Sequence, residues 1–128
     1  MQLNVKTYEK YDEFEKINIG DLISIIPNTS FVTRSRTTDY KNPDKLVVGV
    51  CVNINGDLVD LLDEGIVDVN VEGIICIGDR LTTSKTPGKA RAIRNDIDEI
   101  RIFEVKPIGK VVGLYNDYTI AKVLLGVE

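Results

Sequence analysis

Apolar and polar residues alternate most regularly between Ile66 and Glu72, where Val67, Val69 and Val71 interleave with Asp68, Asn70 and Glu72. That is the two-residue period of a strand with one buried and one wet face. Gly73 breaks the alternation and Ile74 to Ile77 form a short apolar run. Gly78-Asp79 then turns the chain, and Arg80 to Ser84 return as a second short strand before Thr86-Pro87-Gly88 turns it again.

The same grammar runs through the rest of the chain. Leu3 and Val5 alternate with polar neighbours over Met1 to Thr7 and predict an edge strand. Tyr8, Tyr11 and Phe14 recur every third residue among Glu and Lys, which predicts one or two turns of amphipathic helix over Tyr8 to Lys16, a charged strand-like arm being the competing reading. Gly20-Asp21 makes a turn, Leu22 to Ile26 a strand closed by Pro27-Asn28, and Phe31 to Arg34 its return. Leu46 to Ile54 is an apolar strand, and Asn55-Gly56-Asp57 a hairpin turn, because Asn-Gly tolerates positive φ at both central positions. Leu58 to Leu62 resumes the strand and Asp63-Glu64-Gly65 turns it. Ile93, Ile97 and Ile100 suit a short helix or a loop, Ile100 to Val105 a strand stopped by Pro107, and Ile108 to Tyr115 and Tyr118 to Leu125 two strands joined at Asn116-Asp117. About nine short strands with turns rich in Gly, Asn, Asp and Pro predict an all-β fold in a single domain, a compact barrel or sandwich with at most one or two short helices.

A longer repeat overlies this pattern. The segment from Ile19 to Arg36 parallels that from Ile77 to Arg94 at an offset of 77 − 19 = 58 positions: each opens with Ile-Gly-Asp, turns at a proline and finishes in basic residues. Further on, L-V-V-G-V-C-V around Gly49 matches P-I-G-K-V-V-G around Gly109. An internal duplication, spanning 19–65 and 77–125, would give two pseudo-two-fold related β halves sharing one core; the period is too long and the copies too few for a solenoid.

Composition narrows the function. A chain of 128 residues that is 43% hydrophobic can bury a core without help from disulfides or metals. A net charge of −4 leaves no electrostatic footprint for nucleic acid. No apolar run reaches the roughly 18 residues of a membrane helix, and the polar start M-Q-L-N-V-K-T-Y lacks a signal peptide's apolar stretch, so a cytoplasmic chain is expected. Cys51 and Cys76 lie in apolar runs and read as small core residues. Histidine is absent, which excludes a Ser-His or Cys-His pair within the protomer.

Candidate sites are few. The polar run Ser35 to Lys45 is the longest loop, with Arg34, Arg36, Lys41 and Lys45 around Tyr40, and is the candidate partner-contact surface. Asn53 to Asp57 and Asp63-Glu64-Gly65 place oxygen donors near one end of the barrel, but the spacing is that of turns and calls for no metal. Ser84, Lys85 and Thr86 lack the context of a nucleophile. No cofactor or catalytic residue is read.

The order V-V-G-V, V-D-V-N-V-E-G, I-G-D-R-L-T-T-S-K-T-P-G-K-A, P-I-G-K-V-V-G resembles the β domain of bacteriophage and prophage tail-appendage proteins of the intramolecular-chaperone autoprocessing type, over most of the chain from Tyr8 to Leu125. Gly20, Asp21, Asn55, Gly56, Gly73, Gly78, Asp79, Pro87, Gly88 and Gly109 are the turn residues that define the pattern. The resemblance implies a virion-associated homo-oligomer, most often a trimer, with other virion proteins as further partners. Some such domains cut themselves using acidic residues. Here Asp79 and Glu72 lie nearest the shared motif, no cleavage segment matches, and the chain is expected to be a non-enzymatic assembly module. Small capsid decoration proteins share the G-D and P-G-x-A pattern, and a ligand-binding β-barrel is the reading from a different class. The apolar strands Ile66 to Val71 and Ile120 to Val127 carry few charges and are the expected contact surface between copies, with Val123 the position to test.

Overall fold

The computed structural model describes residues 5–11, 16–35, 44, 46–93 and 107–126. The strand expected at Ile100 to Val105, the turns around Ile97 and most of the Ser35 to Lys45 loop fall outside these. The described residues form ten strands and no helix: β1 (Val5–Lys10), β2 (Leu22–Ile25), β3 (Phe31–Arg34), β4 (Val47–Asn55), β5 (Leu58–Leu62), β6 (Gly65–Asn70), β7 (Arg80–Thr83), β8 (Ala90–Ala92), β9 (Gly109–Leu114) and β10 (Ile120–Leu125).

Strands β1 to β5 close into a barrel in the order β1-β3-β2-β4-β5, with β5 returning to β1. Over Tyr8 to Lys10 the strand-like alternative holds and the helix does not, residues 12–15 of that expectation lying outside the described ones: these residues belong to β1, which pairs antiparallel with β5 from Val5–Leu62 to Glu9–Leu58 and parallel with β3 at Glu9–Phe31 and Lys10–Val32. Hydrogen bonds along both edges outweigh an aromatic spacing that is helical only in isolation. Tyr8 leans on the barrel core, and Tyr11 meets Phe31 edge-on at 6.2 Å. Ile17, Ile23, Val32, Cys51, Val59 and Leu61 fill the interior. Bulges between Ile23 and Ser24 and between Cys51 and Asn53 add the local twist that so small a barrel requires.

The second sheet runs β6-β10-β9-β7-β8, and a parallel bridge between Val71 and Ala90 draws its outer strands together. It repeats the pairing scheme of the barrel strand for strand. The Ile-Gly-Asp turns show how closely. Asp21 Oδ2 accepts the N–H of Asn18 at 2.9 Å, and Asp79 Oδ2 that of Cys76 at 2.8 Å. Gly20 N–H donates to the Cys51 carbonyl and Gly78 N–H to the Val111 carbonyl, both at 2.8 Å. Both glycines sit at φ 93°, which only glycine adopts cheaply. Gly49 and Gly109 are matched for a different reason: a Cβ would lie 2.9 Å from the Leu62 carbonyl oxygen in the first case and 2.6 Å from that of Leu124 in the second. Strand β8 has no apolar run to announce it; Ala90 and Ala92 are buried small residues flanking Arg91.

The interior is not one shared core but two clusters, and the first half contributes to the second. Leu22 and Val50, paired across β2 and β4, are fully buried in one cluster with Val69, Val71, Leu81, Ala90, Ala92, Val111, Ala121, Val123 and Leu125. Around them Leu22 N–H donates to the Gly88 carbonyl at 2.7 Å, Asn70 N–H to the Gly20 carbonyl at 2.9 Å, and Asn70 Nδ2 to Asp21 Oδ1 at 2.9 Å. Gly88 is required here, because a Cβ would fall 2.7 Å from Asp21 Cγ.

Candidate functional site

A groove of about 380 Å³ opens on the second sheet, between the loop that follows β6 and the hairpin that joins β9 to β10. Val71, Ile75, Ile120 and Ala121 form its apolar floor, and Ile74, Leu114, Tyr115 and Tyr118 rise around it. Each wall is held by short-range bonds that follow from its sequence. Glu72 N–H donates to the Ala90 carbonyl at 2.9 Å, Gly73 at φ 80° turns the chain outward, and Ile75 packs on the core, so that Ile74 and Cys76 face solvent. Opposite, the Asp117 carboxylate accepts both the N–H (2.9 Å) and the hydroxyl (2.6 Å) of Thr119. Val71 N–H donates to the Thr119 carbonyl at 2.8 Å, tying the walls together. Tyr115 donates its hydroxyl to Asp68 at 2.6 Å.

These bonds set the local electrostatics. The Thr119 hydroxyl and then its N–H hold the Asp117 carboxyl below the usual carboxylate range, and the bond to Asp68 pushes the Tyr115 phenol up. The apolar side chains between them are left open to water: Ile74 is 78% exposed and Tyr118 87%. Contiguous exposed apolar surface around a concave floor marks a contact site. The chemistry that its described lining offers is that of excluding water from an apolar partner.

The positions expected from sequence distribute as follows. Gly20, Asp21, Gly78, Asp79, Pro87 and Gly88 build turns away from the groove, Gly109 opens β9, and Gly73 alone of the turn residues lines it. The β4–β5 turn is centred one residue later than the Asn-Gly reading: Asn55 pairs with Leu58, and Gly56 at φ 60° with Asp57 occupies the centre, glycine first as in a type II′ turn. Arg34 ends β3, while Arg36, Tyr40, Lys41 and Lys45 lie outside the described residues. Asp44, which is described, accepts the Ser24 hydroxyl at 2.7 Å, and its N–H donates to Thr83 Oγ1 at 2.8 Å. Glu72 accepts the Thr86 hydroxyl at 2.6 Å. Among the described residues no group of three or more His, Cys, Asp or Glu side chains is placed to hold a metal ion.

Three expectations are corrected. Cys76 is exposed instead of packed in a core, unlike Cys51. Strand β10 offers no free edge, since it pairs with β6 on one side and β9 on the other. Val123 is fully buried, so a lysine there would test the core and not a contact. The groove itself went unread because Ile74 to Ile77 look like a buried strand. A strand cannot bury four consecutive side chains on one face, and glycine at each end of the run was the available sign of a loop.

Comparison of the chain with protein families, curated proteins and solved structures gave no match.

Proposed function

We propose that the chain is a non-enzymatic assembly module of a phage or prophage particle, a tail-appendage or fibre-associated component that associates with copies of itself through the groove face. The observation that carries this reading is the exposed apolar cluster of Ile74, Leu114, Tyr115 and Tyr118 on two bonded loops. Tyrosine is favoured at the centre of interfaces, where it combines a large apolar area with a polar tip. A second copy is the natural occupant. Copies of net charge −4 repel one another, and Asp117, the acidic side chain among the groove's described lining, is already bonded to Thr119. A standard interface takes roughly a tenth of a small protein's surface on each partner. With 7857 Å² in all, the groove would form its centre, and Val112, next outward on the same side of β9 as Leu114, part of its rim. The resemblance of the turn and strand motifs to tail-appendage domains supports a closed homotrimer in a virion, and the offset between the two matched sheets supports a tandem duplication within one domain.

Mass spectrometry of particles purified from a producing culture tests this. The chain is expected in fixed multiples, and Ile74→Asp, folded by circular dichroism, is expected to be lost from the particle. Recovery of the wild type only in the soluble fraction rejects the reading. The groove's volume falls within the range of small-ligand sites, which supports a second reading: an apolar compound bound one to one, detected by calorimetry and abolished by Ala121→Phe, would favour a ligand-binding barrel.

A further inference from the structure

Asp117 lines the groove with one carboxylate oxygen to spare. Both bonds from Thr119, its N–H at 2.9 Å and its hydroxyl at 2.6 Å, end on Oδ1, and Oδ2 has no donor among the described residues. Those two bonds hold the carboxyl below its usual range and keep it charged at neutral pH; Lys89 acts in the same direction but least of all, and makes no ion pair with it. The carboxylate shares the groove with the exposed rings of Tyr115 and Tyr118 and the apolar floor of Val71 and Ile120. Such a set fits an aliphatic stem that ends in a positive charge: the methylenes cover the floor, the head stays at the rim, and aromatic faces attract it. An ammonium fits better than a guanidinium, whose fork takes two carboxylate oxygens at once. Nor does the groove suit its own image, since a two-fold contact would bring two Asp117 carboxylates together where water is excluded. The complementary surface is a different one.

Among the described lysines, Lys6 is bound to Asp63 at 3.5 Å, Lys10 and Lys89 are half-buried, Lys16 borders residues outside the described ones, and Lys85 has a partner. Lys122 stands directly opposite Asp68, whose carboxylate also accepts the Tyr115 hydroxyl. Lys110 differs from all of these. It is exposed on the outer face of the second sheet, in a row that crosses four strands as Ile66, Leu124, Lys110 and Arg80. Like charges directly opposite one another destabilise a sheet, and neither Arg80 nor Lys110 has an ion pair among the described residues. The nearby carboxylates leave them so: Asp79 accepts the Cys76 N–H in its own turn, and Glu64 is engaged with neither. A carboxylate from outside relieves this pair, and Ile66, 60% exposed, gives the same face apolar area to bury. We infer, on the reading that copies associate through the groove face, that Lys110 of one copy enters the groove of the next and sets its ammonium on Asp117 Oδ2. Anionic groove and cationic sheet face are unlike surfaces of one chain, the arrangement that closes into a ring.

Sedimentation equilibrium of the full chain over a concentration series tests this. Asp117→Asn keeps Oδ1 for Thr119 and removes the charge; Lys110→Met keeps the stem and removes the ammonium. Each is expected to weaken self-association about tenfold and to flatten its dependence on salt, and the double variant to be no weaker than the weaker single one. Single variants of wild-type affinity, or losses that multiply in the double variant, overturn the inference. Ile74→Asp separates it from the groove reading: if that variant dissociates the copies while Asp117→Asn and Lys110→Met do not, the groove contact stands and the lysine assignment falls. A wild type that is monomeric at every concentration overturns both. Lys110 lies on β9 outside the groove lining, so Lys110→Glu replaces Asp117→Asn should circular dichroism show the latter misfolded. At low salt Lys110→Glu is expected to associate more weakly than Lys110→Met, because it sets two carboxylates together; association no weaker than that of Lys110→Met overturns the inference.

Discussion

At the scale of single residues the two cysteines are the most informative pair. Cys51 is enclosed in the barrel core, where burial above all pushes its thiol up from 9.0 to about 11. Its Sγ–H lies 3.6 Å from the Asn53 carbonyl. Cys76 lies on the exposed wall of the groove loop. A thiol-specific reagent is expected to modify Cys76 promptly in the native protein and Cys51 only on unfolding, which peptide mapping of the labelled chain will show. The raised thiol also fixes the sign of a pH effect. The unfolded chain releases this proton near its ordinary value while the folded one holds it, so the neutral thiol's contribution is whole below about pH 9 and drains away as pH rises toward 11. Alkaline titration followed by circular dichroism should show Cys51→Ala losing less stability over that interval than the wild type. Equal losses would place the alkaline transition elsewhere.

At the scale of elements the two Ile-Gly-Asp turns form a matched experiment. Their internal bonds are the same, but Asp21 also accepts the amide of Asn70 from the other half, and its carboxylate is packed on Gly88. Asp21→Ala therefore removes the acceptor of the Asn18 N–H and one of the two acceptors of Asn70 Nδ2, the Ile19 carbonyl at 3.0 Å being the other, and Asp79→Ala removes the acceptor of the Cys76 N–H. Each hydrogen bond to a charged group contributes about 1.5 to 3 kcal/mol. Denaturant unfolding should show Asp21→Ala destabilised by roughly one to two such bonds, and an unchanged midpoint would show that the bond to the other half contributes nothing. The groove loops are held in the same way, by the Val71–Thr119 bond and the Asp117–Thr119 pair, with Ile75 packed on the core.

At the scale of the whole molecule the halves differ in independence. The barrel closes on itself around its own cluster, but the second sheet needs Leu22 and Val50 to complete its core. One cooperative unfolding transition is expected in calorimetry, and residues 65–126 expressed alone should remain unfolded. Leu22→Ala removes a fully buried side chain from the junction and should cost about 2 to 5 kcal/mol, against a total stability of only about 5 to 15. Two separate transitions in the wild type would show that the junction does not couple the halves.

How much of this the chain announces beforehand depends on whether the deciding contacts are local. The alternation of Val67, Val69 and Val71 with polar neighbours, the glycine turns at Gly20 and Gly78, and the proline after Ile26 specify strands and their ends through backbone sterics and side-chain period, so the all-β class and most strand positions were legible. Tyr8 to Lys10 were legible only as one of two alternatives, because the choice between a helix-like spacing and a strand-like arm was made by two strand partners distant in sequence. Strand β8 escaped for want of an apolar pattern, and the groove because the exposure of Ile74 and Tyr118 depends on which loops face each other. The placement of Leu22 in the other half's core is of the same kind. Local propensity reads out what one segment prefers; which of its apolar faces is finally covered is settled by the long-range pairing of β1 with β5 and β6 with β10 and by the packing that follows.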